Sequence, residues 1–180
     1  VDPNSKNLKS FKSKLTDNIA ENFETEYLKS VNNAIIDYFV NKTKLEAPNS
    51  MIENYLNHLV ENNKTQQPNM TDQQEQEIRT TSKDAAIMNI KWYLIKEEKI
   101  NKEKIDVSND DMEKRKKELI DKDPQNAKNI KVFLKDQNNQ QKFFDDILNE
   151  KLFNYLKKFA TIKVDKKKSD ELRKMQGEPK

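Results

Sequence analysis

Between Val1 and Gln176 the chain contains no glycine; its only one is Gly177. Two-residue hairpin turns draw on residues at positive φ, and phosphate-cradling loops need close backbone approach, so both lean on glycine. A chain of 180 residues with none before position 177 has little means of building a sheet or a nucleotide loop. What it has instead is long runs of helix formers punctuated by a few prolines. The expected fold class is all-α.

One passage is far more apolar than the rest. In Ala85-Ala86-Ile87-Met88-Asn89-Ile90-Lys91-Trp92-Tyr93-Leu94-Ile95 only Asn89 and Lys91 are polar. An amphipathic surface helix carries one apolar stripe, whereas here Ala86, Ile90 and Leu94 form one track and Met88, Trp92 and Ile95 lie round the cylinder from it. A helix apolar on more than one side must be covered on more than one side, so this passage is expected to be the central helix, with Trp92 at the junction of its neighbours. Elsewhere the chain is polar: 33% hydrophobic, 36% charged, mean hydropathy −1.11. That is too little for a thick core, yet the apolar residues are periodic rather than scattered, which argues against plain disorder.

Taken in order, Leu8, Phe11, Leu15, Ile19, Phe23, Tyr27, Val31, Ile35 and Phe39 recur at steps of three or four, mostly four, and nothing breaks the run before Pro48. This predicts a helix of about 35–40 residues, about 50–60 Å long. Such a helix is longer than a compact domain of this size is wide, so an elongated molecule follows. Pro48 cannot continue that helix but suits the first turn of the next, which carries Met51, Ile52, Tyr55, Leu56, Leu59 and Val60 up to Asn62-Asn63. Thr71-Asp72-Gln73-Gln74 has the form of a capping box and opens the central helix, expected to end near Asn101. Ser108-Asn109-Asp110-Asp111 caps a fourth helix with carboxylates on its positive end. Asp123-Pro124 starts a short fifth with Ile130, Phe133 and Leu134. From about Asn138 a last helix spaces Phe143, Phe144, Ile147, Leu148, Leu152, Tyr155, Leu156 and Phe159. Beyond Ile162 and Val164 the charged tail, 166–180, is expected to be disordered.

Catalytic chemistry finds little footing. There is no Cys, which excludes thiolate catalysis and disulfides and fits a reducing compartment. The single His, His58, has no second ligand type near it in sequence, so no metal or cofactor site is expected. The pairs Glu97-Glu98, Asp110-Asp111 and Asp145-Asp146 are expected to be solvated faces or caps. Lys166-Lys167-Lys168 reads as a solubilising tail. No apolar run nears the ~20 residues that span a bilayer, so no membrane partner is expected. Residues 1–90 carry 10 Lys/Arg against 13 Asp/Glu, and residues 91–180 carry 24 against 18. With both signs interspersed, no field suited to nucleic acid arises. The start at Val1, without an initiator Met, reads as a piece of a longer protein. Any function should be binding through surface, not enzymatic.

The succession of elements resembles the C-terminal chaperone domain of bacterial trigger factor. Phe11-Lys12-Ser13-Lys14-Leu15 through Ile35-Ile36-Asp37-Tyr38-Phe39 looks like that domain's long first helix. Leu45-Glu46-Ala47-Pro48-Asn49-Ser50-Met51-Ile52-Glu53 is similar to the junction opening its first arm. Ala86 and Ile90 to Leu94-Ile95, then Ile100, Ile105-Asp106-Val107 and the acidic cap, resemble the hub and the link after it. Leu148-Asn149-Glu150-Lys151-Leu152 to Ala160-Thr161-Ile162 looks like the terminal helix. The likeness implies one helical domain over 1–165: a long helix (1–46), a first arm (47–70), a central hub (71–107), a second arm (108–137) and a terminal helix (138–165).

What the resemblance implies functionally is an ATP-independent holdase of the cytoplasm, a cradle whose arms bind unfolded or nascent chains. The family's ribosome-docking and prolyl-isomerase domains are not expected here, so ribosome contact would run through a domain outside this chain. Holding clients without sequence specificity asks for dispersed, adaptable apolar patches. The expected client-binding residues are Leu56, Leu59 and Val60 on the first arm and Phe133, Leu134 and Phe143 on the second, with the chain a monomer or weak homodimer. The alternatives are a helical scaffold with one defined protein partner, which a continuous heptad seam would favour, and an adaptor to nucleic acid, which a basic stripe with interleaved aromatics would favour. Neither feature is present.

Overall fold

The computed structural model describes residues 8–163; Val1-Asp2-Pro3, Val164 and the tail expected to be disordered lie outside them. Among the described residues there are six α-helices, one 3₁₀ turn and no strand: α1 (Leu8–Lys42), α2 (Asn49–Gln66), α3 (Asp72–Glu103), α4 (Asn109–Lys122), the turn Pro124–Asn126, α5 (Ala127–Phe133) and α6 (Gln137–Lys157). The all-α class holds. With 35 and 32 residues, α1 and α3 are each about 50 Å long, and the molecule is elongated around them. Only twelve apolar side chains are buried among the described residues, and no polar one is.

The capping chemistry sits where the sequence places it. The Thr71 hydroxyl accepts from the Gln74 N–H while the Gln74 side chain accepts from the Thr71 N–H at 2.9 Å. Ser108 and Asp111 repeat the arrangement at the start of α4, with the Asp111 carboxylate accepting from the Ser108 N–H at 2.8 Å. Two donors are satisfied reciprocally in each case.

Several boundaries differ from expectation. The first helix stops at Lys42 rather than running on towards Pro48, and the freed segment brings Ala47 against the α2–α3 core. Pro48 stands just before α2, its carbonyl accepting from the Met51 and Ile52 N–H groups at 3.0 and 3.1 Å. The second helix passes Asn62-Asn63 and ends at Gln66; the Asn63 side-chain amide donates to the Leu59 carbonyl at 2.8 Å, so this asparagine supports the helix. Asp123-Pro124 opens a 3₁₀ turn before α5 begins at Ala127. The cap of α6 is Asp136, whose carboxylate accepts from the Asn139 N–H at 3.0 Å.

The central helix runs two residues past Asn101 and ends on Lys104, which adopts the left-handed conformation at φ 52°. The Ile105 N–H donates to the Ile100 carbonyl and the Lys104 N–H to the Asn101 carbonyl. These are the two bonds of a Schellman ending, and Ile100 and Ile105 both pack on the same core.

Two apolar clusters flank α3. On one side Ile52 and Leu56 of α2 bury against Ala86 and Ile90, with Ala47, Met51, Ile87 and Leu94 around them. On the other, Ile35 of α1 meets Leu152 and Leu156 of α6, joined by Val31, Phe39, Trp92, Ile100, Ile105, Phe153 and Tyr155. The apolar passage 85–95 is therefore covered from two sides, as its composition demands. Trp92 lies half-buried, stacked on Phe153 with ring centroids 5.7 Å apart. Met88 and Tyr93 stay exposed, so the covering is incomplete.

Candidate functional site

The segment expected as the first arm, 47–70, holds α2, which packs on α3. Polar contacts rivet its edges: Arg79 donates to Asn57 at 2.8 Å and to Glu75 at 3.0 Å, Lys64 pairs with Glu75 at 2.8 Å, and the Asn89 amide donates to the Tyr55 hydroxyl at 3.0 Å. The Lys64 ammonium and the Arg79 guanidinium hold the Glu75 carboxyl below its ordinary range, and the same bond to Glu75 raises Lys64. Leu56 and Val60, expected among the client-binding residues, are 3% and 1% exposed. Leu56 packs on Ala86 and Ile90. Both therefore belong to the interior, Leu56 beneath α3. Leu59 is half-buried.

The second arm is built differently. Neither α4, the 3₁₀ turn nor α5 buries a single residue. Phe133 is 56% exposed and its neighbour Val132 is 59% exposed, while Leu134, in the turn after α5, and Phe143, on the first turns of α6, are half-buried. Of the six expected residues, Leu56 and Val60 are buried, Leu59, Leu134 and Phe143 are half-buried, and Phe133 is exposed beside Val132. Val132 was not among the residues expected from sequence; the short step Val132-Phe133-Leu134 was the available signal, because three consecutive large apolar residues cannot all face one side of a helix.

The second arm is tied to the body through the link after α3. Lys151 of α6 donates to the Asp106 carbonyl at 2.8 Å and to the Asp111 carboxylate at 2.5 Å, and Arg115 lies 3.7 Å from Glu150. The Lys151 ammonium, with the Ser108 hydroxyl and N–H, holds the Asp111 carboxyl well below the usual carboxylate range. Tyr155 donates to Glu103 at 2.6 Å, which pushes the phenol up from its ordinary value. Asp111 is thus a cap, as expected, and also an anchor, which the sequence reading did not anticipate. Asp145 and Asp146 are exposed.

Large apolar side chains also stand exposed on α1, at Leu8, Leu15, Ile19, Phe23 and Tyr27, and at Phe159 beyond α6. Among the described residues no cluster of His, Cys, Asp and Glu is placed to hold a metal, and no helix is long and apolar enough to cross a membrane. His58 is exposed. The concavities along α1, one lined by Glu26, Lys29, Ser30, Asn33, Ala34 and Asp37 and another beside Phe11 and Leu15, are open surface shelves on a single helix. Among the described residues the exposed apolar side chains are spread over separate helices.

No curated protein and no solved structure matches the chain. A family model described as bacterial trigger factor protein (TF) C-terminus matches residues 7–158. The matched span takes in every helix from Leu8 to Lys157, and the chain belongs to the family of bacterial trigger factor C-terminal domains, which are chaperone domains.

Proposed function

We propose that the domain is an ATP-independent holdase of the cytoplasm that takes up unfolded or nascent chains on apolar patches spread over separate elements. The observation that carries this reading is the second-arm tip, where Val132 and Phe133 stand exposed on an element that buries nothing. An apolar surface that a folded chain leaves uncovered marks an interaction site. Leu134 follows it directly, half-buried Phe143 on α6 is taken to extend it, and Leu59 with Tyr55 supplies a second, smaller patch on α2. Leu56 and Val60 contribute only by holding that arm rigid.

Each patch offers little, at about 25 cal/mol per Å² buried before ordering costs, so affinity arises when one client reaches several patches. A defined-partner scaffold would instead concentrate its apolar surface in one seam. The purified domain should slow aggregation of an unfolded hydrophobic client without nucleotide. Replacing Val132, Phe133 and Leu134 together by Ser should weaken holding while helicity persists, and added salt should do little, since apolar contacts are not screened as charge pairs are. Holding that survives the triple replacement, or that moderate salt abolishes, defeats this reading.

A further inference from the structure

The tip of the second arm carries charge as well as apolar surface. From Pro124 to Lys135 the chain holds three lysines, Lys128, Lys131 and Lys135, and no carboxylate. All three are exposed, and among the described residues none of them pairs with an acid. The acids at either end of the segment have local tasks. Asp123 accepts from the Asn126 side-chain amide at 2.6 Å, and Asp136 accepts from the Asn139 N–H at 3.0 Å to cap α6. On a helix surface the neighbours of a residue stand three and four positions away. Val132 therefore has Lys128 on one side and Lys135 on the other, with Lys131 and Phe133 next to it in sequence. Lys135 lies in the turn after α5, where its N–H donates to the Val132 carbonyl at 3.1 Å and keeps the two close.

The patch on α2 has the opposite surroundings. Tyr55 and Leu59 share their helix with Glu53 and Glu61, and its one lysine, Lys64, is held by Glu75 at 2.8 Å. Charges around an apolar contact select the partner more than they strengthen the contact. We propose that the second-arm tip takes unfolded segments in which acidic residues flank large apolar ones, and disfavours segments flanked by Lys or Arg. This rests on the holdase reading above and names the class of client that one of its patches takes. Seven positions along a helix span about 10.5 Å, and an extended chain rises about 3.3 Å per residue. Acids three residues apart therefore reach Lys128 and Lys135 while the apolar side chains between them lie on Val132 and Phe133. An anionic membrane fits less well, because juxtamembrane recognition of such lipids draws on about four to eight Lys/Arg and the tip offers three.

Three short fluorescent peptides test this on the full chain, with Asp-Leu-Phe-Asp, Ser-Leu-Phe-Ser or Lys-Leu-Phe-Lys between identical glycine–serine flanks. Fluorescence anisotropy at low salt should place the acidic peptide tightest and the basic one weakest. About tenfold should separate them, since each exposed ion pair contributes at most a few-fold. Replacing Lys128, Lys131 and Lys135 together by Gln should bring the three peptides within about twofold of one another. Replacing them by Glu should reverse the order, and by Arg should keep it; circular dichroism of these surface variants should match the parent. About 0.5 M salt should level the ranking by screening while the serine peptide stays bound. A ranking absent from the parent, or one that survives the Gln exchange or high salt, overturns the selectivity. The holdase reading still stands in that case if Val132→Ser with Phe133→Ser weakens all three peptides. Should the Ser pair weaken none of them, the tip is no client surface and both readings fail. Pelleting of the chain with phosphatidylserine vesicles, lost in the Gln variant and without any ranking of peptides, assigns the lysines to lipid and overturns the proposal.

Discussion

The two arms present similar apolar residues in sequence and treat them in opposite ways. On the first, α2 lies along the central helix, Leu56 is buried against Ala86 and Ile90, and Val60 is buried as well. On the second, α4 and α5 are short, bury nothing themselves, and leave Val132 and Phe133 in solvent. The difference is one of covering partner rather than of residue type. An arm with a 32-residue helix at its back becomes a rigid wall; an arm of 14 and seven residues joined by a 3₁₀ turn becomes a tip with apolar surface to spare.

The comparison breaks most easily at Leu56. If the first arm is interior, Leu56→Ala should cost about 3 kcal/mol, in the range for large-to-small replacement in a core, and lower the denaturation midpoint without a direct effect on client holding below that midpoint. A variant that melts like the parent but holds clients poorly would make Leu56 a surface residue and erase the contrast. Trp92 supplies the next largest effect. It is half-buried against Phe153, so Trp92→Ala should cost about 2–3 kcal/mol, somewhat below full aromatic truncation. Chemical denaturation followed by far-ultraviolet circular dichroism measures both.

How far the sequence carries this distinction is visible in particular residues. The capping boxes at Thr71 and Ser108 were legible because they are local: donor and acceptor lie three residues apart. The hub was legible because an all-round apolar passage admits few other fates. Leu56 was not. Its four-residue spacing to Ile52 and Val60 states that one face of α2 is apolar, and only Ala86 and Ile90, some thirty residues away in sequence, state what covers that face. The end of α3 was equally hidden. A left-handed ending normally announces itself with glycine or asparagine, whereas here Lys104 takes φ 52° because Ile100 and Ile105 are drawn together on the core. Lys104→Gly should therefore stabilise the domain by about 1 kcal/mol, the cost a side chain incurs in that region. An unchanged midpoint would mean that this ending carries no strain.

The tie between the second arm and the body gives a pH test of the same contrast. Asp111 has a carboxyl held below its ordinary 3.8 by Lys151 and Ser108. A depressed folded value means that the stabilisation is fully present above about pH 4 and is lost as pH falls below it. Asp111→Asn should melt lower than the parent at neutral pH, and the gap should close as the solution is acidified towards pH 2, with no change between pH 6 and 8. A gap that persists in acid would assign the tie to the cap geometry alone.

The smallest expected effect on stability is the one on which the contrast turns. Val132→Ser with Phe133→Ser removes two large side chains, but both already face solvent, and surface substitutions away from caps and cores usually fall within about 0.5 kcal/mol. Melting should therefore stay where it is, because the folded state loses little packing that the unfolded chain lacked. Leu56→Ala removes fewer atoms and costs several times more. A denaturation midpoint that drops for the Val132/Phe133 pair as steeply as for Leu56 would mean that the tip is packed in solution, against α6 or another copy, and that the second arm is a wall like the first.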